Sequence, residues 1–290
     1  MPMLLIKGKY QIIGGRSDGD TVHFTPDTTS EWDLVPGPHK VKHNTAGKAK
    51  LRLDAIDALE THFQRGGPEV SQPLEFARQA RDELVKWIGF THVERAKDDT
   101  VTAATPESVP GWILTTGATL DKRCIALAGK GTPPGTSGTM IVVDVPLLRT
   151  TLNYHMLKEG LVYPTFYRNL FADLRDELTA ASQAAQSPVK KGLWTEDITT
   201  SGATVTSMAS LTDPEHGAVI LPKLFRRLVE YLNLGNPDLA GFPAFLDAAA
   251  DRYWILSTGQ SPTGLDTVVD VNDSKVKMTH PPEDLVFEEA

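Results

Sequence analysis

Two acidic clusters in the first quarter of the chain have the composition and spacing of a metal-ion site. Asp18-Gly19-Asp20-Thr21 is typical of a turn, and Asp57 and Glu60 follow a strand-like stretch with two residues between them. Ca²⁺ and Mg²⁺ prefer carboxylate and carbonyl oxygens, usually contributed by separate segments of a chain. Asp-Gly-Asp is also a common turn sequence, and the later charges suit a solvated strand face, so a structural interpretation stays open.

Two arginines accompany these acids. Arg52 lies five residues before Asp57, and Arg123 precedes another strand-like segment. Guanidinium groups bind phosphate oxygens through paired N–H donors and stabilise the negative charge that develops during phosphoryl transfer. In such chemistry a cation polarises the phosphorus centre, and Glu60 is free to activate water as a general base. The combination favours phosphodiester hydrolysis.

Other common chemistries lack their sequence signatures. The chain has no CxxC, no HExxH and no paired histidines at ligand spacing, so zinc is not expected. It has neither a GxxxxGK[ST] motif nor a dinucleotide-binding glycine pattern after a strand, and no GxSxG sequence. The single cysteine, Cys124, excludes an internal disulfide and agrees with a reducing compartment.

The charge of the chain is unevenly distributed. The formal net charge of the 290 residues is −8, and residues 198–290 contribute −7 of it because they hold 6 Lys and Arg against 13 Asp and Glu. Residues 38–50 hold four lysines and no acid, which predicts either a solvated loop or a phosphate contact. No apolar run approaches the roughly 20 residues that span a bilayer, and the first residues do not resemble a secretory signal. We therefore expect a cytoplasmic protein without a membrane partner.

Short strands and a few helices must position the candidate residues. Strands are predicted over residues 4–14, 20–24, 52–56, 112–115, 124–128 and 140–145, with a long loop or hairpin over 25–47. Helices are predicted from Gln72-Pro73 to Gly89, over 148–159 and over 167–185. Short strands with a helix among them and further helices packed behind suit an α+β domain built on a small closed barrel.

The character of the sequence changes after residue 197. Residues 198–213 are rich in Thr, Ser and Ala and are predicted to be a linker or irregular arm. Beyond them the apolar pattern predicts helices over 221–232 and 243–250 and strands near 254–256, 267–271 and 276–278. The chain thus divides into residues 1–197 and an acidic extension, 198–290, which is either a subdomain or part of the core of the first domain.

The order of the motifs resembles the staphylococcal nuclease (thermonuclease) family. The matching segments are Asp18–Val22, Leu51–Leu53 followed by Asp57-x-x-Glu60-Thr61, Asp121–Ala126, Leu152–Leu161 and Gly192–Asp197. They cover about residues 8–197 in collinear order. The resemblance implies a five-stranded OB-fold barrel with three helices, and an enzyme that cleaves DNA or RNA phosphodiesters with Ca²⁺, for which Mg²⁺ or Mn²⁺ are possible substitutes.

The resemblance also implies roles for individual residues. The implied metal ligands are Asp20, Asp57 and the backbone carbonyl of Ala58, with Asp18 and Thr21 behind them. The implied catalytic residues are Glu60 as general base and Arg52 and Arg123 as the phosphate-binding pair. Substrate contacts are expected from Lys122, Phe166 and Tyr167, although the two aromatic residues are equally well interpreted as core.

The chain departs from the family pattern in two places. Ala58-Leu59 replaces the usual proline-containing pair before Glu60, and a shorter spacer places Arg123 one or two residues out of the family register. Two further hypotheses accompany the nuclease. One is a catalytically weak OB-fold module that binds nucleic acid or protein and is regulated by the acidic extension. The other has the extension covering the groove as a nucleic-acid mimic.

Overall fold

Sixteen strands and seven helices are found in the computed structural model, which describes residues 1–236 and 238–288. The strands are β1 (Pro2–Gln11), β2 (Thr21–Pro26), β3 (Ala49–Leu53), β4 (Ile56–Asp57), β5 (His92–Arg95), β6 (Val101–Thr105), β7 (Val109–Ala118), β8 (Cys124–Lys130), β9 (Met140–Val142), β10 (Tyr163–Pro164), β11 (Phe166–Tyr167), β12 (Ala203–Thr204), β13 (Tyr253–Ile255), β14 (Val269–Asn272), β15 (Lys275–Met278) and β16 (Leu285–Phe287). The helices are α1 (Leu74–Ile88), α2 (Val145–Leu148), α3 (Leu152–Lys158), α4 (Ala172–Gln186), α5 (Ala209–Thr212), α6 (Pro222–Asn233) and α7 (Phe242–Ala249). This is the mixed α+β architecture that the sequence predicts.

Five strands close into a barrel. Their order is β1-β2-β3-β8-β7, with β7 pairing back to β1, and β9 extends the sheet beside β1. Neighbouring strands run antiparallel except for β3 and β8, which are parallel. Closure leaves few exposed strand edges. The closed five-stranded barrel is consistent with the predicted OB-like fold.

Apolar residues inside the barrel form the first hydrophobic core. Ile6, Leu51, Leu53 and Ile113 are fully buried there, on strand faces that the sheet register brings together. Helices α1, α3 and α4 cover this core with residues such as Leu84, and Leu84 is also fully buried.

A second hydrophobic core joins the two parts of the chain. It contains Leu59, Tyr163 and Trp194 from the first 197 residues together with Phe225 of α6 and Phe287 of β16. Of the two alternatives for the extension, the shared core is the one observed. No helix within the described residues is both long and apolar enough to cross a membrane.

Three predicted elements differ from those observed. The helix predicted over 148–159 is two helices, because Thr151 caps α3 by accepting a hydrogen bond from the Tyr154 N–H at 3.3 Å. The helix predicted from residue 167 begins at Ala172, since Phe166 and Tyr167 pair with β16 instead. The strand predicted over 52–56 breaks after Leu53, where Ala55 adopts a φ of 65° between β3 and β4.

Candidate active site

Most of the predicted site residues line one cleft of about 820 Å³ between the barrel and the extension. The barrel side contributes Asp18, Asp20, Arg52, Asp57, Glu60, Asp121, Arg123 and Tyr167. The charged residues on the extension side are Lys223, Arg226, Arg227, Glu230, Asp251, Arg252 and Glu288. Acids and bases are thus interleaved on both walls, so the cleft is strongly polar and unlike an apolar ligand pocket.

Strand register brings Asp20, Arg52 and Arg123 to one end of the barrel. Thr21, which follows Asp20, lies directly opposite Arg52 in the antiparallel pair of β2 and β3. The Leu53 N–H donates to the Asp20 carbonyl at 2.8 Å. On the other side of β3 the parallel register places Leu51 beside Cys124, the residue after Arg123. Three segments far apart in sequence therefore present their charges at the same rim.

The loop that carries Asp57 and Glu60 is held from both sides. Asp57 pairs with Tyr163 in the short ladder of β4 and β10. The backbone of Glu60 exchanges two hydrogen bonds with the fully buried Gln72: the Glu60 N–H donates to Oε1 at 3.2 Å, and the Glu60 carbonyl accepts from the Gln72 N–H at 2.9 Å. Gln72 Nε2 then donates to the Ile220 carbonyl at 2.8 Å, two residues before α6. Gln72 thereby ties the Glu60 loop to the extension.

The Asp18-Gly19-Asp20 turn packs tightly against its surroundings. A Cβ added to Gly19 would lie 2.6 Å from the Ala80 Cβ on α1 and 3.0 Å from the Ala58 Cβ, so only glycine fits. The Asp20 carboxylate accepts from the Thr21 hydroxyl at 3.0 Å and from the Ala58 N–H at 3.3 Å. Thr21 and Ala58 therefore lie beside Asp20.

Burial and crowding make the acids of this cluster hard to ionise. Burial raises the pKa of Asp20 well above its ordinary value, and the carboxylates of Asp18 and Asp57 add to the rise, while Arg52 opposes it. Burial and the nearby Glu60 likewise raise the pKa of Asp18. The Asp18 Oδ1 atom is buried with no hydrogen-bond partner among the described residues. Like-charged carboxylates in a poorly solvated cleft favour a bound cation or a bound proton.

The cation present is the guanidinium of Arg226, from helix α6. Its Nη2 donates to Asp57 Oδ2 at 2.7 Å, while its Nη1 donates to Asp57 Oδ1 at 3.2 Å and to Glu60 Oε1 at 2.6 Å. The Asp57 side chain is only 4% exposed and that of Glu60 13%, so these are partly desolvated ion pairs. Burial raises the pKa of Glu60, Arg226 opposes that shift, and the pKa remains above its ordinary value.

The sequence analysis did not predict Arg226 as a residue of this site. The residue is 169 positions from Asp57 and 166 from Glu60, and no local motif links them. One signal was available in the sequence: three of the six Lys and Arg residues in the acidic extension, Lys223, Arg226 and Arg227, fall within the predicted helix 221–232. All three line this cleft, as does Arg252. The extension side of the cleft therefore carries four basic and three acidic residues, which does not match the nucleic-acid mimic hypothesis.

The two predicted aromatic residues have different positions. Tyr167 lines the cleft, where its hydroxyl accepts a hydrogen bond from Arg52 Nη2 at 2.5 Å and its ring centroid lies 4.9 Å from the Arg52 guanidinium carbon. Phe166, in contrast, is completely buried in the first core. The expectation that Phe166 contacts substrate is wrong, because adjacent strand residues point to opposite faces of a sheet and only Tyr167 faces the cleft.

Arg123 and Lys122 lead from this cleft to a second one. Arg123 lines the first cleft and is paired through Nε with Asp121 Oδ2 at 2.8 Å. The second cleft, of about 830 Å³, shares Asp18, Asp121 and Arg123 with the first. Lys122 lies there, and not in the first cleft. The basic residues that line the second cleft are Arg16, Lys42, Lys48, Lys50, Lys122 and Arg123, against the acids Asp18, Glu69 and Asp121.

Comparison with known proteins does not assign a family. Neither protein-family models nor curated protein sequences give a significant match to the chain. Its chemistry must therefore be argued from its own residues.

The donor chemistry of the acids suits a hard cation, but their arrangement does not hold one. Among residues 1–236 and 238–288, no group of three or more His, Cys, Asp or Glu side chains is placed to hold a metal ion. Both Asp57 carboxylate oxygens and one Glu60 oxygen are engaged by Arg226. In the conformation described, the Arg226 guanidinium balances these two carboxylates.

Proposed function

We propose that this protein is a nuclease that hydrolyses phosphodiester bonds of DNA or RNA. The observation that carries the proposal is the convergence of Arg52, Glu60 and Arg123 on one cleft beside the Asp20 and Asp57 carboxylates. These residues come from three different segments, so their proximity is a property of the fold and not of one motif. The resemblance to staphylococcal nuclease supports the same chemistry. Ca²⁺ is the proposed cofactor, with Mg²⁺ or Mn²⁺ as possible substitutes.

Each of these side chains has a defined task in that reaction. Arg52 and Arg123 bind the non-bridging phosphate oxygens and stabilise the charge that grows on them. Glu60 removes a proton from the attacking water. The raised pKa of Glu60 suits this role, because a general base works best when its pKa approaches the working pH. Tyr167 holds the Arg52 guanidinium in the cleft through its hydroxyl and ring.

The second cleft supports a polymeric substrate. Its six basic residues outnumber its three acids, and it is continuous with the first cleft through Arg123. A strand that enters the first cleft with one scissile phosphate can lay its neighbouring phosphates along the second. This is the feature that favours a nucleic acid over a small phosphodiester.

The decisive experiment compares cleavage by the wild type with cleavage by Glu60→Gln and Arg52→Ala. Labelled single-stranded DNA, duplex DNA and RNA are incubated with Ca²⁺, Mg²⁺, Mn²⁺ or EDTA. We expect Glu60→Gln to lose roughly 10²- to 10⁴-fold in rate, as for loss of a general base, and Arg52→Ala to lose about 10²- to 10³-fold. Glu94→Gln and Arg149→Ala are matched controls, because both residues form exposed ion pairs away from the clefts.

Unchanged cleavage in Glu60→Gln, or cleavage by wild type that survives EDTA, contradicts the proposed mechanism. The engagement of Glu60 by Arg226 favours one alternative, a nucleic-acid-binding module without catalysis. That alternative predicts binding of the same substrates, measured by fluorescence anisotropy, with no cleavage by wild type in any of the cations.

A further inference from the structure

We infer that Arg226 is the resident counter-cation of this site, and that Arg226 and a divalent cation are mutually exclusive occupants of the Asp57 and Glu60 carboxylates. The inference adds regulation to the proposed function and rests on it for the choice of Ca²⁺. The extension then acts on the site through one side chain, which must leave before a metal ion can bind.

The first argument is the charge of the cluster. Four acids, Asp18, Asp20, Asp57 and Glu60, lie with only Arg52 and Arg226 as directly facing bases at the barrel rim. A buried carboxylate without a counter-charge is strongly unfavourable, so Arg226 leaves only when another cation or a proton takes its place. Exchange of a guanidinium for a divalent ion adds one positive charge to a cluster in which acids outnumber bases. It also offers a partner to the unpartnered Asp18 Oδ1.

The second argument is that the connection between the site and the extension is built into the core. Leu59 is fully buried in the second core together with Phe225, which precedes Arg226 in the sequence. The resemblance leads one to expect proline at the position of Leu59. The Gln72 side chain bridges the Glu60 backbone and the Ile220 carbonyl. The backbones of the Glu60 loop and of α6 are therefore fixed relative to each other, and the Arg226 side chain is held over the carboxylates.

The third argument is that the side chain can move although the helix cannot. Leu224, Phe225 and Leu228 are buried and anchor α6, whereas the Arg226 side chain is 27% exposed at the edge of a cleft of about 820 Å³. The exchange requires only side-chain rotation.

The test is Ca²⁺ binding to the full-length chain in the absence of nucleic acid. Titration calorimetry with CaCl2 is performed on wild type, Arg226→Met and the control Arg227→Met, whose residue lies on the same helix and pairs with Asp251 and Glu230. We expect Arg226→Met to bind Ca²⁺ at least about tenfold more tightly than wild type, within the usual range of coupling between two ligands. Arg227→Met should resemble wild type. Ca²⁺ should raise the Tm of Arg226→Met more than that of wild type.

Equal Ca²⁺ affinity in wild type and Arg226→Met overturns the inference, whether both bind tightly or neither binds. If Arg226→Met does not fold, Arg226→Lys answers the same question, because an ammonium cannot make the bidentate contact and should release the carboxylates more readily. Unchanged affinity in Arg226→Lys is then the overturning result. Since no nucleic acid is present, failure of the proposed nuclease activity leaves this outcome unaffected, and the two failures are distinguishable.

Discussion

Single carboxylates determine the electrostatic character of the first cleft. Burial raises the pKa of Asp18, Asp20 and Glu60. Arg52 opposes the rise at Asp20 and Arg226 opposes it at Glu60, whereas at Asp18 only hydrogen bonds oppose it. Folding therefore favours the protonated form of these groups over the ionised form. An acid with a raised pKa in the folded state lowers stability at neutral pH, and such a cost is retained where a site needs charge for its chemistry.

We predict that Asp18→Asn is more stable than wild type at pH 7. Because the pKa of Asp18 is raised on folding, the unfolding free energy of wild type falls as pH rises from the ordinary Asp value of about 3.9 through the folded pKa. The gain from the neutral amide should be about 1 kcal/mol at pH 7 and should vanish below about pH 4. Urea unfolding between pH 4 and 8 measures it.

Asp33→Asn provides the comparison for this experiment, since Asp33 is exposed on the short 3-10 helix Thr29–Leu34. A gain for Asp18→Asn that is equally large at pH 4 would contradict the electrostatic explanation.

The sequence was informative about residues that are close to one another along the chain or in neighbouring strands. Arg52, Asp57 and Glu60 lie within nine residues, and strand pairing brings Asp20 to them, so their convergence was predictable. Arg226 was not predictable, because only the packing of α6 against the Glu60 loop brings the guanidinium to the carboxylates. Phe166 was ambiguous because a pair of adjacent aromatic residues does not reveal which one faces the core.

At the scale of elements, the site depends on how closely α1 approaches the turn between β1 and β2. Ala80 of α1 and Ala58 of the following loop leave no space beside Gly19. Small residues on both sides of this contact let the turn, helix and loop meet, and the carboxylates of Asp18 and Asp20 are positioned as a result.

We predict that Gly19→Ala destabilises the protein by about 1–3 kcal/mol, as overpacking of a close contact does. The cause is the 2.6 Å approach to the Ala80 Cβ, so Ala80→Gly should partly relieve it although Ala80→Gly alone weakens helix α1. Thermal unfolding of both single variants and the double variant completes a double-mutant cycle. If the loss of unfolding free energy in the double variant is as large as the sum of the losses in the two single variants, this contact is not the cause.

Element boundaries show where local sequence signals were sufficient. The start of α1 after Pro73 and its end at Gly89, which has a φ of 125°, follow from residue preferences and were predicted. The start of α4 was misplaced because the apolar periodicity continues back to Tyr167, whereas pairing with a strand 120 residues later takes Phe166 and Tyr167 out of the helix. Long-range pairing overrode local periodicity.

At the scale of the whole molecule, an acidic protein presents a basic path. The net charge is −8, yet the second cleft has twice as many Lys and Arg as acidic residues. The distribution of charge therefore matters more for a polyanionic partner than the total. The lysines of residues 38–50, for which a loop and a phosphate contact were both plausible, are at the rim of this second cleft at Lys42, Lys48 and Lys50.

We predict that Lys42→Ala/Lys50→Ala weakens binding of single-stranded DNA and makes it less dependent on salt. Each lost phosphate contact should reduce the slope of log K against log salt concentration by about 0.7 for a single strand, hence about 1.4 for two contacts. Fluorescence anisotropy between about 50 and about 300 mM salt measures the slope, and EDTA in the buffer prevents cleavage during the measurement. Lys275→Ala/Lys277→Ala is the control, because β15 lines neither cleft. Equal slopes for the two double variants would exclude the second cleft as the binding path.

The parallel pairing of β11 with β16 has a consequence for synthesis of the protein on the ribosome. Tyr167, which holds Arg52, lies opposite Phe287, and their ring centroids are 6.3 Å apart. The barrel strands and Glu60 are translated long before residues 285–287, so a nascent chain has its carboxylates and arginines but lacks the strand that braces Tyr167. The cleft is completed only after β16 has left the exit tunnel. For the proposed nuclease, the strand that packs against Tyr167 is thus translated more than 100 residues after the residues of the barrel rim.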